Sequence, residues 1–87
     1  MGEIMLTIYT KPDCGLCDEM KEVIASLPKE LRVTLREIDI TVDPELEKKY
    51  FLDIPLLLHG DRCLARHRAN EKTLLNKIRK LAGNGLP

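Results

Sequence analysis

Ile4-Met5-Leu6-Thr7-Ile8-Tyr9-Thr10-Lys11-Pro12-Asp13-Cys14-Gly15-Leu16-Cys17 is an apolar, β-branched run that breaks at a turn cluster and leads into a pair of cysteines. Ile4 to Tyr9 reads as a buried strand, and Thr10-Lys11-Pro12-Asp13 as the turn that ends it. Beyond the turn the period changes. Leu16, Met20, Val23, Ile24 and Leu27 recur at the spacing of one helical face, with Asp18, Glu19, Lys21 and Glu22 on the other. Pro28 biases Leu27 away from helical geometry and should close this helix. Cys14 and Cys17 therefore fall where a buried strand hands over to an amphipathic helix.

That location gives the pair its chemistry. Three residues is close to one helical turn, so two sulfurs at this spacing can meet and close a small disulfide ring. A helix start offers unpaired backbone N–H groups and the positive end of the dipole, both of which favour a thiolate at Cys14. Lys11 acts in the same direction and Asp13 against it. In this reading Cys14 attacks a disulfide and Cys17, one turn deeper, resolves the mixed disulfide. Gly15 permits close approach of a substrate backbone, and Leu16 presents an apolar surface beside the sulfurs. Two other readings stay open. The cysteines are small core residues, or they form half of a zinc site completed by two of His59, Cys63 and His67.

The remaining chain supplies three more strands and two helices. Arg32 to Ile40 is β-rich, but its apolar phase slips between Leu35 and Ile38, which predicts a bulge or a stretch buried on both faces. Asp43-Pro44 is a helix start, with Asp43 as N-cap and Pro44 at the first helical position. The short helix that follows carries Leu46, Tyr50 and Phe51, and Ile54-Pro55 stops it. Leu56 to Leu58 and Arg62 to His67 form a hairpin around Gly60-Asp61. Cys63 is expected to be a buried structural thiol in preference to a regulatory or third redox thiol. Asn70 should cap a last helix with Leu74, Leu75, Ile78, Leu81 and Ala82 on its apolar face, Gly83 as its stop and residues 83–87 as a frayed tail. The order β-α-β-α-β-β-α predicts an α/β domain. Its four-stranded mixed sheet should hold a right-handed parallel crossover at the start and an antiparallel hairpin at the end.

At 87 residues the chain makes one domain, residues 1–87, with a thin stability margin. Its 14 basic and 14 acidic residues cancel, so no global field draws nucleic acid or an anionic membrane. With no Trp, one Phe and two Tyr, stacking platforms for single-stranded nucleic acid are lacking as well. Three cysteines are too few for a secreted disulfide scaffold, and Met1 to Met5 lacks a signal-peptide flank. The expectation is a cytoplasmic monomer, with no resident cofactor and no metal.

Tyr9-Thr10-Lys11-Pro12-x-Cys14-x-x-Cys17, the strand end Glu37-Ile38-Asp39-Ile40 and Ile54-Pro55 together resemble the glutaredoxins, in particular the small glutaredoxin-like branch of the thioredoxin superfamily. The resemblance runs from Ile4 to about Leu81. It implies a dithiol oxidoreductase acting on protein or glutathione mixed disulfides, with Cys14 as nucleophile, Cys17 as resolving thiol and a cis-Pro55 beside them. It also implies that Lys11 meets a glutathione carboxylate and that the backbone of Ile54 pairs with the peptide part of a thiol substrate, glutathione being a possible co-substrate. The chain departs from the family in three places. Gly15-Leu16 stands where glutaredoxins carry Pro and an aromatic. Ala65, Arg66 and His67 stand near the position of the Gly-Gly against which glutathione lies. The acidic pair that follows is missing too. Two further classes stay open: a zinc or iron–sulfur module, against whose glutathione-bridged cluster form the missing Gly-Gly argues, and a thioredoxin-fold interaction domain with reduced redox activity, which the substituted glutathione site motivates.

Overall fold

The computed structural model describes residues 3–84, with side chains through Leu81. The elements follow as β1 (Ile4–Thr10), α1 (Gly15–Ala25), β2 (Val33–Asp39), α2 (Pro44–Tyr50), β3 (Leu56–His59), β4 (Arg62–Arg66) and α3 (Glu71–Asn84). Short 3-10 turns, Lys29–Leu31 and Ile40–Val42, flank β2. This is the predicted β-α-β-α-β-β-α order, folded as a four-stranded mixed sheet with strand order β2-β1-β3-β4.

Strand β1 is the spine. It pairs in parallel with β2, from Ile4 opposite Val33 to Thr10 opposite Asp39, and antiparallel with β3, from Thr7 opposite Leu58 to Tyr9 opposite Leu56. Its side chains alternate, as a pleated strand requires. Ile4, Leu6, Ile8 and Thr10 are buried, whereas Met5 is exposed and Thr7 and Tyr9 are half-buried. Ile4, Leu6 and Ile8 join Met20 and Ile24 of α1 and Leu74 and Ile78 of α3 in the main core, so α1 and α3 cover one face. On the other face Tyr50 of α2 stacks on Tyr9, with ring centroids 4.4 Å apart.

Local chemistry accounts for the helix boundaries. Asp43 accepts a hydrogen bond from the Glu45 N–H at 2.9 Å with Pro44 behind it, and Asn70 accepts from the Thr73 N–H at 3.0 Å. Each satisfies one of the orphan donors of a first turn. Helix α1 stops at Ala25, two residues before the point marked by Pro28. Ser26 caps it, its hydroxyl donating to the Val23 carbonyl at 2.7 Å, and Leu27 leaves the helix yet stays buried.

Four sequence expectations fail for identifiable reasons. Strand β2 runs without a bulge and is nowhere fully buried, because it lies at the sheet edge. Its phase slip is a change of face. Leu35 packs toward α1, the next position on that face is Glu37, and Ile40 is buried from a 3-10 turn beyond the strand. The bulge lies instead between Leu57 and Leu58, where β3 meets β4. His67 falls outside β4, in a turn described below. Phe51 is not carried within α2 but caps its end, where it is 57% exposed. Gly83 does not stop α3, which continues to Asn84. The Ala82 side chain and residues 85–87 of the expected tail lie outside the described residues.

Candidate functional site

Asp13 turns the chain from β1 into α1. It adopts φ 57°, a left-handed conformation that aspartate tolerates better than most residues. Cys14 follows in extended geometry as the N-cap of α1, and its Sγ accepts a hydrogen bond from the Cys17 N–H at 3.1 Å. The two cysteines are disulfide-bonded, with Cα atoms 5.2 Å apart. Their exposure differs sharply. Cys14 is half-exposed, whereas Cys17 is 1% exposed and packs against Ile40 and Ile54 in a small second core bordered by Tyr9, Leu46 and Tyr50. One sulfur is thus available from outside and the other lies beneath it.

Ile54 and Pro55 come to the same place. Ile54 is buried against Cys17, Pro55 is buried, and the peptide bond between them is cis. Several contacts define this segment. The Asp53 N–H donates to the Tyr50 carbonyl at 2.8 Å, and the His67 N–H donates to the Pro55 carbonyl at 2.8 Å. The Arg66 guanidinium lies 3.8 Å from the Asp53 carboxylate. Lys11 is exposed on the turn before Cys14. A Cβ added to Gly15 would meet nothing within 4 Å, so the surface beside the sulfurs is open there. Leu16 is half-buried and lines a shallow groove with Glu19, Met20, Val23, His67 and Arg68.

Cys63 corrects the sequence reading: it is exposed rather than buried. The bulge pairs it with Leu58, and the main core takes its neighbour Leu64 instead. Its thiol faces the Ala65 carbonyl at 3.7 Å. Among the described residues no three His, Cys, Asp or Glu side chains converge to hold a metal, so the structure does not assemble the zinc set of Cys14, Cys17 and two of His59, Cys63 and His67.

One polar cluster went unread in the sequence. The buried Thr10 hydroxyl donates to Glu37 at 3.0 Å, and Lys21 donates to the same carboxylate oxygen at 3.0 Å. The Glu37 hydrogen bond, ahead of the opposing effect of burial, raises the Lys21 pKa. On the opposite face burial is the main cause that raises the Tyr9 pKa, with Tyr50 adding to it. The signal for the cluster was present in β2: a carboxylate stands at the strand position where the apolar phase breaks.

Comparison with known proteins places the chain in a family. Residues 5–79 match the glutaredoxin-like domain family (DUF836). The chain belongs to that family. It is 34% identical over 79 residues to the glutaredoxin-like protein YDR286C homolog of Dictyostelium discoideum, covering 82% of this chain and 71% of that one. A structural-genomics target, XcR50 of X. campestris, superposes with a TM-score of 0.71 at 26% identity, covering 86% and 96% of the two chains. The germline-specific thioredoxin Deadhead of Drosophila melanogaster gives a TM-score of 0.58 at 26% identity, over 91% of this chain and 81% of that one. This glutaredoxin-like domain has the thioredoxin fold, with its Cys-x-x-Cys pair at the start of the first helix. Among the described residues no helix is long and apolar enough to cross a membrane.

Proposed function

We propose that this glutaredoxin-like domain is a thiol–disulfide oxidoreductase acting on protein or small-molecule disulfides in the cytoplasm, as a monomer and without a resident cofactor. One observation carries the reading: a half-exposed Cys14 caps α1 while a fully buried Cys17 lies one turn in, against the Ile54–Pro55 segment. Membership of the family, and likeness to a thioredoxin, support substrates that contain thiols or disulfides.

The chemistry starts from the reduced pair. The Cys14 thiolate, favoured by the helix N-terminus and the Cys17 N–H, attacks one sulfur of a substrate disulfide. A mixed disulfide forms and the other substrate sulfur leaves as a thiolate, which takes up a proton. The Cys17 thiolate then attacks Cys14 Sγ, the Cys14–Cys17 bond forms, and the second substrate thiol is released. The substrate gains two electrons and the dithiol loses two. An external thiol, glutathione or a protein dithiol, returns them. Lys11 offers a cation to an anionic substrate, Gly15 and Leu16 form the contact surface beside the sulfurs, and the Ile54 backbone next to Pro55 aligns an extended substrate.

Alkylation and trapping test this. In the reduced protein at neutral pH, Cys14 should react with iodoacetamide faster than the exposed Cys63 does. Cys17→Ser should accumulate a mixed disulfide on Cys14, and Cys14→Ser should reduce no disulfide. Equal alkylation rates at Cys14 and Cys63 would refute the proposal.

A further inference from the structure

The connection between β4 and α3 is folded back on itself at His67. The Arg68 N–H donates to the Arg66 carbonyl at 2.7 Å across His67, whose φ is 68°. A hydrogen bond spanning three residues with a positive central φ is a γ-turn of the rare kind, and a non-glycine residue there costs about 1 kcal/mol or more. Glycine would adopt the same backbone without that cost. A histidine kept in such a conformation calls for a reason in its side chain.

The reason lies across the loop. His67 Nε2 is 2.7 Å from the Leu52 carbonyl oxygen, and the His67 backbone N–H donates to the Pro55 carbonyl at 2.8 Å. A carbonyl only accepts, so Nε2 carries the proton and donates. One residue therefore grips both ends of the segment 52–55, and the buried Ile54 between them packs on Cys17. Leu52 itself is 71% exposed, so few contacts of its own hold that end of the loop.

We propose that His67 is a positioning residue that clamps residues 52–55 and so sets the Ile54 backbone against the cysteine pair for a peptide substrate. The inference rests on the oxidoreductase reading above. It assigns the γ-turn a purpose: with positive φ at residue 67, one residue supplies both the backbone bond to residue 55 and the imidazole bond to residue 52. A substrate that docks along the segment depends on the clamp, and a disulfide too small to reach it does not.

Two variants separate the clamp from the turn. His67→Asn suits positive φ, but its amide is too short to reproduce Nε2. His67→Gln places an N–H donor at about the reach of Nε2. Each pre-reduced protein is mixed in single turnover with a heptapeptide dimer joined through its central cysteine, and separately with hydroxyethyl disulfide. His67→Asn should raise the half-saturating peptide concentration about fivefold, the scale of one lost hydrogen bond, with the limiting rate little changed. His67→Gln should stay within about twofold of wild type, and hydroxyethyl disulfide should be reduced equally by all three proteins. The proposal is overturned if His67→Asn handles the peptide as wild type does, if Gln fails to rescue, or if both probes slow by the same factor. A wild-type protein that reduces neither probe faster than Cys14→Ser overturns the oxidoreductase reading itself, and the clamp's role in substrate positioning with it.

Discussion

Asp13 and Cys14 differ in how far the sequence announces them. The Cys-x-x-Cys spacing declares itself, because two sulfurs one helical turn apart have few other uses at a helix start. The backbone at Asp13 does not, since φ 57° is a property of the turn the whole chain imposes. It explains why a small polar residue precedes the cysteine. Asp13→Val, which puts a β-branched side chain in the left-handed region, should destabilise the protein by about 1–2 kcal/mol in chemical denaturation. Asp13→Asn should stay within about 0.5 kcal/mol, since asparagine shares the tolerance. Cys63 shows the converse. Free cysteine is buried more often than not, yet one register shift in the neighbouring hairpin turned this one outward.

At the scale of elements, β2 and α1 are joined by a polar contact that strand periodicity alone does not reveal. Glu37 receives both the Thr10 hydroxyl and the Lys21 ammonium, and the latter pair is partly solvated, with side chains 34% and 47% exposed. Such a pair contributes about 0.5 kcal/mol after screening. Lys21's pKa is raised, so the contribution is full below the ordinary lysine value of 10.5 and disappears as the pH rises through the folded value. Glu37→Gln should therefore melt slightly below wild type at neutral pH, and the gap should close in strongly alkaline buffer. Tyr9, whose pKa burial raises, loses stability in the same alkaline range, but it does so in both proteins and drops out of the difference. A gap that widens with pH would contradict the pair's role. The caps at Asp43 and Asn70 were legible because their logic is local: the side chain that satisfies a helix start lies within three residues of it. The end of α1 at Ala25 was less so, because Ser26 intervened before Pro28 could act.

For the molecule as a whole, stability rests on the face that α1 and α3 share. Ile8 is fully buried there, while Met5, three residues away on the opposite face, is 52% exposed. Ile8→Ala should cost about 3 kcal/mol, and in a domain of this size that lowers the Tm by roughly 15 °C. Met5→Ala should move it little. Equal losses would mean that the two faces have been assigned wrongly. The element order, the strand-to-helix seat of the cysteines and the apolar faces of α1 and α3 could all be read in advance, because periodicity and turn chemistry act within a few residues. The exposure of Cys63, the face change along β2 and the grip of His67 on Leu52 and Pro55 could not, since each depends on partners 5 to 15 residues away or on another strand. The cysteine pair belongs to the first group. What folding added is the asymmetry between its members, Cys14 at the surface and Cys17 sealed by Ile40 and Ile54, because burial is a property of what packs over a residue and the chain brings those residues from just beyond β2 and from just before β3.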